Sequence, residues 1–152
     1  MNRCEKVLQD KVLKIKAFQD KTVTVTEDMV EKFAHLCGDF NPVHFSDQEA
    51  QKAKFKQRIA HGMLSASFIS AVLGNSEVGR GGIYLKQNLE FLRPVYIGDE
   101  VTVKAEIVDL NYQQNTAVIK TNVLNSIGKV VVRGEATVWA PNFISQGPFQ
   151  LV

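Results

Sequence analysis

The chain has 152 residues, 45% hydrophobic and 22% charged, with 18 Lys and Arg against 16 Asp and Glu for a formal net charge of +2. That is one ordinary domain with a single core, little room for a second domain, and no apolar run approaching the ~18 residues of a membrane helix. Scattered basic residues give no nucleic-acid surface, and Cys4 and Cys37 show neither CxxC spacing nor a disulfide framework, so a soluble protein of a reducing compartment is expected.

The opening "MNRCEKVLQDKVLKIKAF" lacks the apolar core of a secretory signal, and its Glu5 and Asp10 fit a transit peptide poorly. The cytoplasm is the expected location, with an organelle matrix the second option. Alternating Val23 and Val25 then lead to Thr26, a natural N-cap followed by Glu27 and Asp28 in a first helical turn. Met29, Val30, Phe33, Ala34 and Cys37 recur at helical spacing, and Gly38 is a natural C-cap. "SDQE" at 46–49 has the form of a capping box, Ser46 with Glu49, that starts a short helix running towards Phe55.

"HGMLSASFISAVLGN", residues 61–75, carries apolar side chains on several faces and predicts a fully buried helix. Burial of Met63, Leu64, Phe68, Ile69, Val72 and Leu73 would contribute roughly 10 to 15 kcal/mol gross, as an upper bound. Four strand-like segments follow, at 81–94, 99–111, 114–125 and 128–141, joined by turn signals at Gly98-Asp99, Asn111 to Gln114 and Asn125 to Gly128. Short connections imply antiparallel neighbours. In the last segment Val130, Val132, Ala136 and Val138 fall on one face, with Arg133, Glu135 and Thr137 on the other. Helices in the first half and strands in the second predict the α+β class, and the tail from Pro141 is expected to be irregular.

Two short motifs can carry chemistry. Asp39 and His44 flank Asn41-Pro42 in one connection, a spacing open to an acid and base pair and equally to an Asx-turn with a satisfied histidine. In "AHGML" Gly62 stands at the expected start of the buried helix, where unpaired N–H groups could meet a carbonyl oxygen; Gly62 could instead merely permit tight packing, with His61 as a cap. His35, Asp39, His44 and His61 could be imagined around a metal ion, but no HExxH is present and none is expected. "GRGGIYL" leads into a strand and is a poor phosphate loop, and Ser65 and Ser67, outside a GxSxG context, suit helix packing.

Taken together, "GDFNPVHFSDQEAQKAKF", "IAHGML", "LGNSEVGRGGIYLKQNLEFLRPVYIGDEVTVKAEI" and "GKVVVRGEATVWAP" resemble the MaoC-like branch of the hotdog fold over residues 17–141, specifically the (R)-specific enoyl-CoA hydratases, or hydratase 2. The resemblance implies a curved antiparallel sheet wrapped around a long buried central helix. It also implies reversible hydration of a trans-2-enoyl-CoA to an (R)-3-hydroxyacyl-CoA, with no metal or redox cofactor, coenzyme A being part of the substrate. Asp39 and His44 fall on the family's catalytic dyad, Asn41 on its supporting polar residue, and Gly62 on the backbone oxyanion donor. Gln57-Arg58 replaces the apolar or proline-containing approach to the "AHG" motif.

The resemblance further implies a homodimer formed across an exposed sheet edge, possible higher oligomers included, and an acyl-CoA thioester as the small-molecule partner, without nucleic acid or membrane. Two alternatives stand beside it: a 3-hydroxyacyl-thioester dehydratase acting on acyl carrier protein, and a non-catalytic acyl-CoA binding hotdog subunit. A thioesterase places its carboxylate on the central helix, and residues 62–74 contain no Asp or Glu.

Overall fold

The computed structural model describes residues 18–146; Cys4 with the expected N-terminal extension, and residues 147–152, lie outside the described part. In chain order the elements are β1 (Lys21–Thr24), α1 (Glu27–Cys37), a 3-10 turn (Pro42–His44), α2 (Asp47–Lys52), α3 (Gly62–Gly74), β2 (Ile83–Phe91), β3 (Glu100–Asn111), β4 (Thr116–Asn125), β5 (Val130–Trp139) and α4 (Pro141–Gln146). The strands form one antiparallel sheet in the order β1-β3-β4-β5-β2, with α3 packed on β3, β4 and β5. The α+β class and the central helix under a sheet are both present.

The local signals work as their chemistry requires. Thr26 Oγ1 accepts the Met29 N–H at 3.2 Å to start α1, and Gly38, at φ 81°, ends it with its N–H donating to Ala34 O. Ser46 Oγ accepts the Glu49 N–H at 3.3 Å, while the Glu49 carboxylate pairs with Lys52. Asn111 Oδ1 receives the Gln113 and Gln114 N–H groups, and Asn125 Oδ1 receives that of Lys129, closing the two hairpins where the turn residues stand. The Gly98-Asp99 turn is tied to Val25, just past the end of β1, by the Val25 N–H donating to Asp99 O and the Gly98 N–H to Val25 O.

Three expectations are corrected. Helix α3 is not buried all round: Leu64, Ser65, Ala66, Ile69, Val72 and Leu73 are buried, but Met63 is 57% exposed and Ser67, Ser70 and Gly74 share its open side. Apolar residues spread around a helix without a clear period do not say which stripe a single sheet leaves uncovered. In β5 the alternation holds from Val132 onward, with Ala136 and Val138 buried and Arg133 and Glu135 exposed, but it fails at Val130, because Val131 is an extra residue between Val132, opposite Val123, and Val130, opposite Leu124. A bulge lets Val131 and Val132 both be buried. The tail is not irregular from Pro141: Pro141 opens α4, where a missing N–H costs nothing, and Ile144 is buried in the core.

Candidate active site

Where α1 stops at Gly38 the chain turns out of the helix, and Asp39 is the first residue released. Its Oδ1 accepts the Asn41 N–H at 3.1 Å, an Asx-turn that leaves Oδ2 pointing onward. Asn41 Oδ1 in turn accepts the Val43 N–H at 3.3 Å, capping the 3-10 turn that Pro42 opens and His44 closes. So the Asn-Pro pair builds the turn as its residue types suggested. Asn41 acts through its backbone and as a cap, and is absent from the cavity wall described below.

His44 is buried, and its Nδ1 lies 2.8 Å from Ile59 O. A carbonyl only accepts, so the ring hydrogen sits on Nδ1 and the lone pair of Nε2 faces Asp39 Oδ2, 4.0 Å away. That distance is too long for a direct hydrogen bond. Burial pulls the His44 imidazole below its ordinary value of 6.5; the bond to Ile59 raises it, His61 lowers it further, Asp39 raises it, and the net direction is down. The Ile59 segment is itself held by an N–H bond to Val43 O and a bridge to Tyr96.

Gly62 is the first residue of α3, and the first N–H groups of a helix have no intrahelical acceptor. A Cβ here would stand 2.9 Å from the Phe91 ring, which supports the packing reading of this glycine. Before it, His61 occupies the N-cap position but makes no capping bond; its Nε2–H donates to Asp39 O at 2.9 Å. The His44 and His61 ring centroids are 3.8 Å apart with planes tilted by 31°.

Asp39, His44 and Gly62 thus line one cavity of about 760 Å³, with Phe33, Ala60, Val95 and Val132 among its apolar wall and Arg93 at its edge. Its size and mixed lining suit a small molecule with an apolar portion. Among the described residues, Asp39, His44 and His61 are the group of donors close enough to share a metal ion, their atoms lying within 4.8 Å of one another. One nitrogen of each ring is already committed to a carbonyl. His35 stands apart, exposed on α1 with its ring against Phe40.

Sequence reasoning gave His61 only a cap or a metal to serve, and missed its bond to the Asp39 backbone. Its place beside Gly62 was the available signal. Arg58, in the segment that departs from the family pattern, pairs with Glu27 at 2.6 Å and its N–H with Asp47 Oδ1 at 2.8 Å, joining the starts of α1 and α2. Ser65, expected only to pack, is buried on the cavity wall with its hydroxyl unpartnered among the described residues.

Comparison with known proteins identifies the family. Residues 11–128 match the family described as MaoC like domain. The chain is 47% identical over 118 residues to the (R)-specific enoyl-CoA hydratase of Rhodospirillum rubrum, covering 78% of this chain and 81% of the relative. It is 33% identical over 134 residues to the mitochondrial 3-hydroxyacyl-[acyl-carrier-protein] dehydratase of Arabidopsis thaliana, covering 86% and 80%. The solved structure of the unliganded R-hydratase of Pseudomonas aeruginosa superposes with a TM-score of 0.74 at 41% identity, covering 84% of this chain and 83% of that one.

Proposed function

The chain belongs to the MaoC-like domain family, and on that premise we propose that it is an (R)-specific enoyl-CoA hydratase, a hydro-lyase of the hotdog fold. The observation that carries the reading is the 4.0 Å gap between Asp39 Oδ2 and His44 Nε2 on a cavity that also holds the start of α3. A water oxygen at about 2.8 Å reaches both atoms. Both are acceptors, so they hold the two hydrogens of one water and aim its lone pair at C3 of a bound enoyl thioester.

As the hydroxyl adds to C3, the acceptor that takes the water's hydrogen returns a proton to C2, and both new bonds form on the face that the dyad occupies. Negative charge gathers meanwhile on the thioester oxygen. The Gly62 N–H, backed by the dipole of α3, is the donor for that oxygen; such a donor is worth about 3 to 4 kcal/mol of barrier. Asn41 supports the dyad by fixing the Asp39 carboxylate through its backbone N–H. The chemistry requires no metal ion or redox cofactor, and coenzyme A enters as part of the substrate.

The same reading takes residues 1–152 as one domain that works as a homodimer. Strand β2 lies at a sheet edge with Ile83, Leu85 and Phe91 more than half exposed, a surface that a second copy would cover. No described helix is long and apolar enough to cross a membrane, and the exposed free thiol of Cys37 suits a reducing compartment such as the cytoplasm.

Loss of conjugated-thioester absorbance with crotonyl-, hexenoyl- and longer enoyl-CoA tests the reading; if none is consumed by the wild-type protein, it fails. The Arabidopsis relative favours a second reading, the same chemistry on acyl carrier protein. Matched acyl chains on CoA and on the carrier decide between them, and a higher kcat/KM on CoA is expected.

A further inference from the structure

We infer that His61 is a positioning residue that sets the Asp39–His44 gap and locks it to the start of α3. The inference rests on the hydratase reading and deepens it. Two contacts converge on this one ring, and the backbone of the same residue begins α3. Its Nε2–H holds the backbone carbonyl of Asp39 at 2.9 Å, its face lies on the His44 ring at 3.8 Å, and its own carbonyl receives the Leu64 and Ser65 N–H groups that begin α3. Both halves of the dyad and the element carrying the Gly62 N–H therefore take their position from a single residue, 2% exposed and flanked by Phe33 and Phe45.

A packing role alone explains this residue badly. The Nδ1 of His61 is buried with no hydrogen-bond partner among the described residues. Buried polar atoms without partners are costly, and an aromatic hydrocarbon of similar shape would fill the space without that cost. What a hydrocarbon cannot do is donate to the Asp39 carbonyl. The donor fixes the peptide that follows Asp39, and with it the direction in which the Asx-turn presents Oδ2 to His44.

Two variants separate the donor from the ring. His61→Phe keeps a stacked ring and removes the N–H; His61→Gln keeps an N–H within reach of the carbonyl and removes the ring. With crotonyl-CoA, His61→Phe should lose about 10- to 100-fold in kcat, as expected for displaced reacting groups, with KM changed less than about twofold. His61→Gln should recover most of that loss. A merely structural residue would lower the unfolding temperature and the active fraction without this split or this rescue.

A folded His61→Phe with kcat within twofold of wild type overturns the inference, as does a His61→Gln no better than His61→Phe. If only one variant folds, its kcat alone decides: full activity in the Phe variant, or a loss beyond about tenfold in the Gln variant, counts against it. Failure of both to fold makes the ring a core side chain and also overturns it. Inactive wild-type protein sinks the hydratase reading itself, whereas active wild type with unaffected variants sinks only the role of His61.

Discussion

At the scale of the residue, Asp39, His44 and Gly62 are each placed by their immediate neighbours: a helix stop, an Asn-Pro turn and a helix start. Asp39→Asn keeps an oxygen for the Asn41 N–H but no longer a carboxylate, so kcat should fall by about 10² to 10⁴ while this half-exposed site changes stability by under about 1 kcal/mol. His44→Ala should match that loss in kcat and also destabilise, by about 1 to 3 kcal/mol, because the Ile59 carbonyl loses its donor in a buried place. Since burial lowers the His44 pKa, the acid limb of kcat/KM should lie below about 6.5, and a limb above neutrality would contradict the assignment. Stability moves with pH in the matching sense. The unfolded chain takes the His44 proton first as pH falls, so this group's contribution is intact above about 6.5 and is lost as pH drops through its lower folded value. For Gly62, proline and alanine make an informative pair. Proline removes the N–H at a first helical position where it is tolerated, and His61 before it, at ψ 134°, already has the extended conformation that precedes proline. Both add a Cβ against Phe91, so kcat for Gly62→Pro should fall about 10²- to 10³-fold below that of Gly62→Ala if the N–H meets the oxyanion.

At the scale of the element, caps and turns were readable and tertiary coverage was not. Thr26 and Gly38 bound α1 because hydroxyl and left-handed backbone are local chemistry. The exposure of Met63 depends on where the sheet ends, the bulge at Val131 on the partner strand, and α4 on a core that accepts Ile144, none of which is written in a window of adjacent residues. The bond from His61 to Asp39 spans 22 positions and joins two helices' ends, so no periodicity could announce it. The two ends of α1 should behave differently. Thr26→Ala should cost about 0.5 to 2 kcal/mol in urea unfolding with kcat unchanged. Gly38→Ala, forced to φ 81°, should cost about 1 to 2 kcal/mol and also lower kcat, because the residue it would re-aim is Asp39. Equal effects of the two on kcat would mean that the helix stop does not orient the dyad.

At the scale of the whole molecule, a sheet that covers one side of α3 leaves β2 as an apolar edge and Met63 beside the cavity in the open. The proposed dimer covers that edge. Sedimentation at micromolar concentration should give twice the chain mass, and Leu85→Lys, placing a charge on the exposed edge strand, should shift it to the monomer; a wild-type monomer would show that the edge is left unpaired. The central claim concerns a single water delivered from one face of the double bond. Chiral analysis of the product formed from crotonyl-CoA by the wild-type protein tests it most directly: the hydratase assignment predicts (R)-3-hydroxybutyryl-CoA, formed about 10²- to 10⁴-fold more slowly when Asp39→Asn or His44→Ala replaces the wild type, and a racemic or (S) product, or one formed equally well by those variants, would contradict it.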